Sequence, residues 1–185
     1  MLMKLNLNYA DDDVTPLWRL LFIRMPSLFV GLFLGLGLSF ITSEFKEVIE
    51  RRIEIAFFIP FVVYMADAVG TQTQAIYTRD LLTGKASFKK YLIKETLLGV
   101  LLGLIFSLLT ALIVMLWLQS VQIGLAVSLG IFGAVASAPL ISMLVTEVLE
   151  LEHSDPAVGA GPIATVLQDA ASVVIYGLIA SMIFV

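Results

Sequence analysis

Two acidic side chains sit in segments that are otherwise almost wholly apolar. In "FFIPFVVYMADAVGTQTQAIYTRDLL" (57–82), Tyr64, Asp67, Thr71, Gln74 and Thr78 recur at intervals of three, four, three and four. On a helix that spacing aligns them on one face. Toward the C-terminus, Thr165, Asp169, Ser172 and Tyr176 recur at intervals of four, three and four, with Gln168 beside them. Each stripe is one carboxylate with a ladder of neutral oxygens. There is no cysteine, and the single histidine, His153, lies in a polar loop. An all-oxygen donor set suits a hard cation such as magnesium or calcium. Magnesium sheds water reluctantly, so a few carboxylates among polar groups can hold it through its hydration shell.

The elements that carry these stripes follow from composition. Hydrophobic residues make up 59 % of the chain, charged residues only 14 %, and the mean hydropathy is +1.00. A soluble domain carries about a quarter charged residues, and 185 residues offer no interior large enough for this much apolar surface. The chain reads as an all-α integral membrane protein. Five continuous apolar runs are long enough to be transmembrane helices: Pro26–Ile41, Ile53–Thr78, Glu95–Leu118, Ile123–Thr146 and Gly161–Val185. The first is short, and Leu20–Ile23 extends it. Barrel strands would alternate, and these runs do not. The opening "MLMKLNLNYADDDVTPLWRLL" lacks the features of a cleaved signal and reads as a short polar lead-in. The division expected is residues 1–22 as an N-terminal cytoplasmic segment and 23–185 as a five-helix domain. The net charge of −4 does not suggest nucleic acid.

Lysine and arginine set the orientation. Lys4, Arg19 and Arg24, with Arg79, Lys85, Lys89, Lys90 and Lys94, fall on one side; only Lys46, Arg51 and Arg52 fall on the other, among glutamates. The positive-inside bias then predicts a cytoplasmic N-terminus and a C-terminus outside, in a multi-pass protein of the cell membrane. The last cytoplasmic loop, "TEVLELEHSDP", breaks the bias with Glu147, Glu150, Glu152 and Asp155. Such a run can collect cations at a cytoplasmic mouth; it can equally be a solvated face. Gly31/Gly35 and Gly99/Gly103 have the small-xxx-small spacing that lets helices approach closely.

These residues carry a family resemblance. Arg24-Met25-Pro26, "AFFIPFVVYMADAVGTQTQ" (56–74) and "DPAVGAGPIATVLQDAASVVIYGLIA" (155–180) resemble the transmembrane domain of MgtE magnesium channels, shared with the animal magnesium solute carriers. The likeness runs from about Arg19 to the C-terminus. It implies five helices per subunit and a homodimer whose paired second and fifth spans line a cation pore. It implies Mg2+ as the transported and bound ion, possible passage of other divalent cations, and Asp169 at the central site. Thr165, Gly70, Thr71, Gln72 and Thr73 would then border the hydrated ion, with Gln74 and Ser172 on the same stripes. One departure touches the site. The family has glycine-asparagine where this chain has Asp67-Ala68, which exchanges an amide for a carboxylate one residue earlier. A second is length. MgtE channels carry long N-terminal regulatory regions with CBS domains, whereas about twenty residues precede the first span here, so any such gating is expected from a separate regulatory protein.

Other functions use the same carboxylates. Asp67 could serve an ion-coupled exchanger, since coupled transporters use intramembrane acids as relays. An intramembrane aspartyl protease also needs two aspartates on two spans, but its glycine-x-glycine-aspartate motif is missing: residues 166–169 read Val-Leu-Gln-Asp. A non-transporting membrane subunit would have no use for buried acidic stripes.

Overall fold

The computed structural model describes residues 15–84, 86–151 and 156–185, and within these the side chains of all but 82, 149–151 and 156–162. It is all-helical: α1 (Leu17–Ser43), α2 (Lys46–Arg51), α3 (Glu54–Leu82), α4 (Phe88–Leu118), α5 (Val121–Leu151) and α6 (Pro156–Phe184). Five of these helices are long and apolar enough to cross a membrane. The five expected spans are all present, and most run past their expected limits. α1 begins at Leu17, inside the expected lead-in, and continues through Pro26. Proline there has no N–H for the carbonyl four residues back, a local cost that α1 tolerates. α4 starts seven residues before Glu95, so Lys89, Lys90 and Lys94 ride on helix rather than loop.

α5 is the centre of the bundle. It packs against α3, α4 and α6, and Ala126, Val127, Ile131, Ala134, Val135 and Ala138 along it are fully buried. In a bilayer helices gain little from burying apolar surface, because lipid is equally apolar; close packing holds them instead. Glycines supply that closeness. A Cβ added at Gly99 would lie 2.8 Å from Pro139 Cγ and 3.1 Å from the Ala136 carbonyl, and one at Gly103 would lie 3.0 Å from the Phe132 carbonyl. The Gly99/Gly103 pair is therefore the seam between α4 and α5. Gly35, by contrast, faces open space, so the spacing alone does not mark a close contact there. α1 rests on α6 alone among the well-packed partners, and none of its residues is buried.

The connections are short. Gln119 adopts a left-handed conformation (φ 51°) to end α4, and Ser120 Oγ accepts from the Ile123 N–H to start α5. Between α1 and α3, the short helix α2 buries Val48, and Arg51 donates to the Phe184 carbonyl at 3.2 Å. Phe45 lies against Gly177. α2 thus ties the first connection to the far end of α6. Most intramembrane hydroxyls find their acceptor within their own helix, as Ser128, Ser137 and Thr146 do with carbonyls three or four residues back.

The glycine seam has a measurable consequence. Gly99→Ala should destabilise the bundle by about 1–3 kcal/mol through overpacking against Pro139. Gly35→Ala should leave stability unchanged or slightly raised, since alanine is the better helix former. Thermal unfolding of the two detergent-purified variants checks this: equal unfolding temperatures would contradict the assignment of the seam.

Candidate functional site: an acidic seam between α3 and α6

α3 and α6 pack against each other and both pack on α5. The sequence stripes lie along this junction. Asp67 on α3 and Asp169 on α6 are both half-buried. Asp169 Oδ1 is buried and has no hydrogen-bond donor among the described residues. A buried acceptor without a donor costs about 1–3 kcal/mol, more for a charged group. An intramembrane carboxylate left this way faces a polar pathway far more often than lipid.

The rest of the α3 stripe is turned outward from the subunit. Tyr64 and Thr71 are exposed, as is the neighbouring Gln72, while Ala68, Gln74 and Thr78 are partly covered. Thr78 Oγ1 is itself buried without a partner. Gly70 points the other way. It is buried against α5, where an added Cβ would stand 2.6 Å from Ser142 Oγ. On α6, Thr165 is half-buried beside the seam. Ser172 is fully buried and donates to the Gln168 carbonyl at 2.8 Å. Tyr176, the outer member of the stripe, donates to the Ile55 carbonyl at 3.0 Å and pins α6 to the start of α3.

The structure also reveals a second polar face on α3 that the stripe analysis passed over. Thr73 and Tyr77, one turn apart, are buried. Thr73 Oγ1 donates to Glu95 Oε2 of α4 at 2.8 Å, and Tyr77 Oη donates to Glu147 Oε2 of α5 at 2.5 Å. The Tyr91 ring lies 5.2 Å from that of Tyr77, tilted by 51°, and its hydroxyl donates to Asp80, which also pairs with Arg79. Glu147, expected as a cation-collecting group, is thus held by a tyrosine at a helix junction. The Glu150 side chain and Asp155 lie outside the described residues. Glu95 drew no attention in the sequence because it sits at the edge of an apolar run. The spacing of Thr73 and Tyr77 was the available signal.

Among the described residues no group of three or more His, Cys, Asp or Glu side chains converges as a metal cage. The seam therefore does not provide the crowded inner coordination sphere of a bare, tightly chelated ion. Its oxygens suit an ion that retains water, since bound water presents donors outward and the seam presents acceptors.

The fold is thus a multi-pass helical bundle with one carboxylate on each of two packed spans. The chain matches the family described as MgtE, divalent cation transporter, over residues 59–179. It is 30 % identical over 162 residues to the magnesium transporter MgtE of Enterococcus faecalis, covering 86 % of this chain and 36 % of that protein. It is 29 % identical over 156 residues to the magnesium transporter MgtE of Bacillus subtilis, covering 83 % and 35 %. It is also 26 % identical over 183 residues to that of Thermus thermophilus, covering 96 % and 39 %. The chain belongs to the MgtE family, and it spans between a third and two fifths of the length of these relatives. Membership in a family of transporters removes the aspartyl protease from consideration.

The Tyr77–Glu147 contact is directly testable. Tyr77→Phe keeps the ring and removes the donor, leaving a half-buried carboxylate unpaired at a helix junction. Stability should fall by about 1–3 kcal/mol. Glu147→Gln, which keeps an acceptor for the tyrosine, should lose less. Thermal unfolding of both variants decides, and a Tyr77→Phe protein as stable as wild type would show that the contact contributes nothing.

Proposed function

We propose that this chain moves divalent cations, Mg2+ foremost, across the cell membrane along the α3–α6 seam. The observation that carries the reading is the buried, donor-free Asp169 Oδ1 on a membrane helix that packs against α3, the helix carrying Asp67. Charge in hydrocarbon costs about 2.5–3.5 kcal/mol even on lenient insertion scales. A scaffold gains nothing from two such groups. A cation path needs them.

In this reading the hydrated ion enters the seam, where Asp169 and Asp67 attract it, Thr165, Thr71, Gln72 and Gln74 offer neutral oxygens, and Ala68 borders it. Gly70, Thr73 and Ser172, turned into the bundle, support the seam from behind. Tyr64, Thr71 and Gln72 are exposed on the subunit surface at membrane depth, where lipid cannot satisfy them. A second copy of the chain, packed with its own α3 and α6 against this face, would enclose the polar stripe in a homodimer. The basic residues at the start of α1 and around the α3–α4 connection support a cytoplasmic assignment for that end, with Glu147 of α5 toward the same end through its bond to Tyr77. Mn2+, Co2+ and Ca2+ are candidate additional cargoes because Asp67 adds a charge where the family has an amide. Control by a separate regulatory protein is compatible with a chain that spans only part of its relatives.

The supporting evidence beyond the seam is the family membership and the magnesium transporters it resembles. The test is Mg2+ flux into proteoliposomes. Wild type should transport Mg2+, and Asp169→Asn should reduce the rate at least tenfold with the fold intact, the equivalent of removing about 1.4 kcal/mol or more of ion stabilisation. Asp67→Asn should retain transport with altered selectivity among divalent ions. Flux that required a proton or sodium gradient, and lost that requirement in Asp67→Asn, would instead establish an exchanger. Asp169→Asn with wild-type flux would refute the assigned path.

A further inference from the structure

Gln168 is among the most deeply buried polar side chains of the described residues, at 1 % exposure. Its Nε2 donates to the Ala134 carbonyl of α5 and to Ser172 Oγ, each at 3.3 Å. Ser172 Oγ in turn donates to the Gln168 carbonyl. The amide orientation is fixed by these bonds, because the flipped form would set Oε1 against the Ala134 carbonyl oxygen. Both amide donors are therefore committed, and Oε1 is left buried with no donor among the described residues. The next residue along the helix is Asp169, whose Oδ1 is in the same condition.

Two consecutive side chains thus end in buried acceptors that no donor among the described residues satisfies. Consecutive residues on a helix point about 100° apart. Gln168 bonds α5, and α6 packs against both α3 and α5, so the two residues lie on the helix that joins these three elements. In hydrocarbon the only available donors are water or the water bound to an ion. A hydrated divalent cation presents O–H donors in every direction, so its complement is a set of acceptors free of competing donors. The amide adds such an acceptor without adding charge.

We propose that Gln168 Oε1 is an outer-sphere acceptor for the hydrated cation, and that Gln168 is a specificity-determining residue of the seam. This rests on the reading of Asp169 as the ion site. Its second role is positional: the bond to the Ala134 carbonyl sets the register of α6 against α5.

The experiment uses hexaamminecobalt(III), whose N–H ligands do not exchange and which therefore engages acceptors only through its outer surface. Calorimetric binding of the complex to the purified full chain is measured for wild type, Gln168→Leu, Gln168→Glu and Asp169→Asn, alongside unfolding temperature and inhibition of Mg2+ flux. Wild type should bind the complex and be inhibited by it. Gln168→Leu should bind at least about tenfold more weakly, the loss expected for a hydrogen bond to a charged partner. Gln168→Glu, which gives up the bond to the Ala134 carbonyl but keeps an acceptor and adds charge, should bind more tightly. A residue that only tied α6 to α5 would lower the unfolding temperature and leave the affinity of the folded protein unchanged. Wild-type affinity in Gln168→Leu, or no binding to wild type, overturns the proposal. If Gln168→Leu does not fold, Gln168→Glu decides, and binding no tighter than wild type overturns it. Loss of binding in Asp169→Asn alone leaves the ion site standing without Gln168. Unchanged binding in Asp169→Asn sinks the ion-site reading itself.

Discussion

A membrane interior offers no water to a polar group, so every donor and acceptor at that depth must be satisfied by the bundle or by a wet path. Most of this structure obeys the first option. Serines and threonines bond backward to carbonyls of their own helix. Thr73 and Tyr77 reach carboxylates on other helices. Tyr176 reaches a backbone carbonyl more than a hundred residues away in sequence. Against that background, the described side chains left buried and unpartnered are Thr78, Gln168 and Asp169. All three lie on α3 or α6. The pattern of satisfaction locates the exceptions, and the exceptions locate the seam.

The seam also depends on how α3 is mounted. One face of that helix, through Ala66, Val69, Gly70, Thr73 and Tyr77, is buried against the bundle. The opposite face carries the exposed Tyr64, Thr71 and Gln72, with Asp67 between. A polar outward face on a lone membrane helix would rotate inward. Here the inner face is fixed by glycine packing at one level and by hydrogen-bonded glutamates one turn further along, so rotation would sacrifice both. The packing of the bundle thereby holds a hydrophilic surface in position against the preference of the bilayer. Strain of this kind is tolerated where a site requires it.

The five spans were legible because long apolar runs have few alternative readings, and both acidic stripes were legible because the helical period is regular. What escaped were relations between helices. Glu95 reads as an interfacial residue until Thr73 is brought to it. Gln168 reads as a flank of a stripe until the Ala134 carbonyl consumes its donors. α2 is six residues long, too short for periodicity to announce it, and is held by contacts with α6. The glycine pairs show the limit from the other side: Gly99/Gly103 and Gly31/Gly35 have the same spacing, and Gly99 and Gly103 sit in a close contact that Gly35 lacks. Spacing fixes which residues share a face; the neighbour that face meets is a property of the whole bundle.

The exchange of an amide for Asp67 bears on how the seam balances attraction against release. Two nearby carboxylates raise the local negative charge, which draws a divalent cation in and also slows its departure. Conduction needs binding strong enough for entry and weak enough for exit. Neutral acceptors ease this conflict, because they orient the hydration shell without deepening the electrostatic well. Gln168, Thr165 and the outward threonines and glutamines of α3 supply such acceptors on the elements that carry the acids. A strongly hydrated ion, which keeps its water and feels the carboxylates only at outer-sphere distance, gains most from that arrangement. An ion that sheds water readily would approach Asp67 and Asp169 directly, bind tightly and leave slowly. On the proposed path, a second carboxylate at Asp67 would sharpen the dependence of transport on how firmly the cation holds its first shell of water.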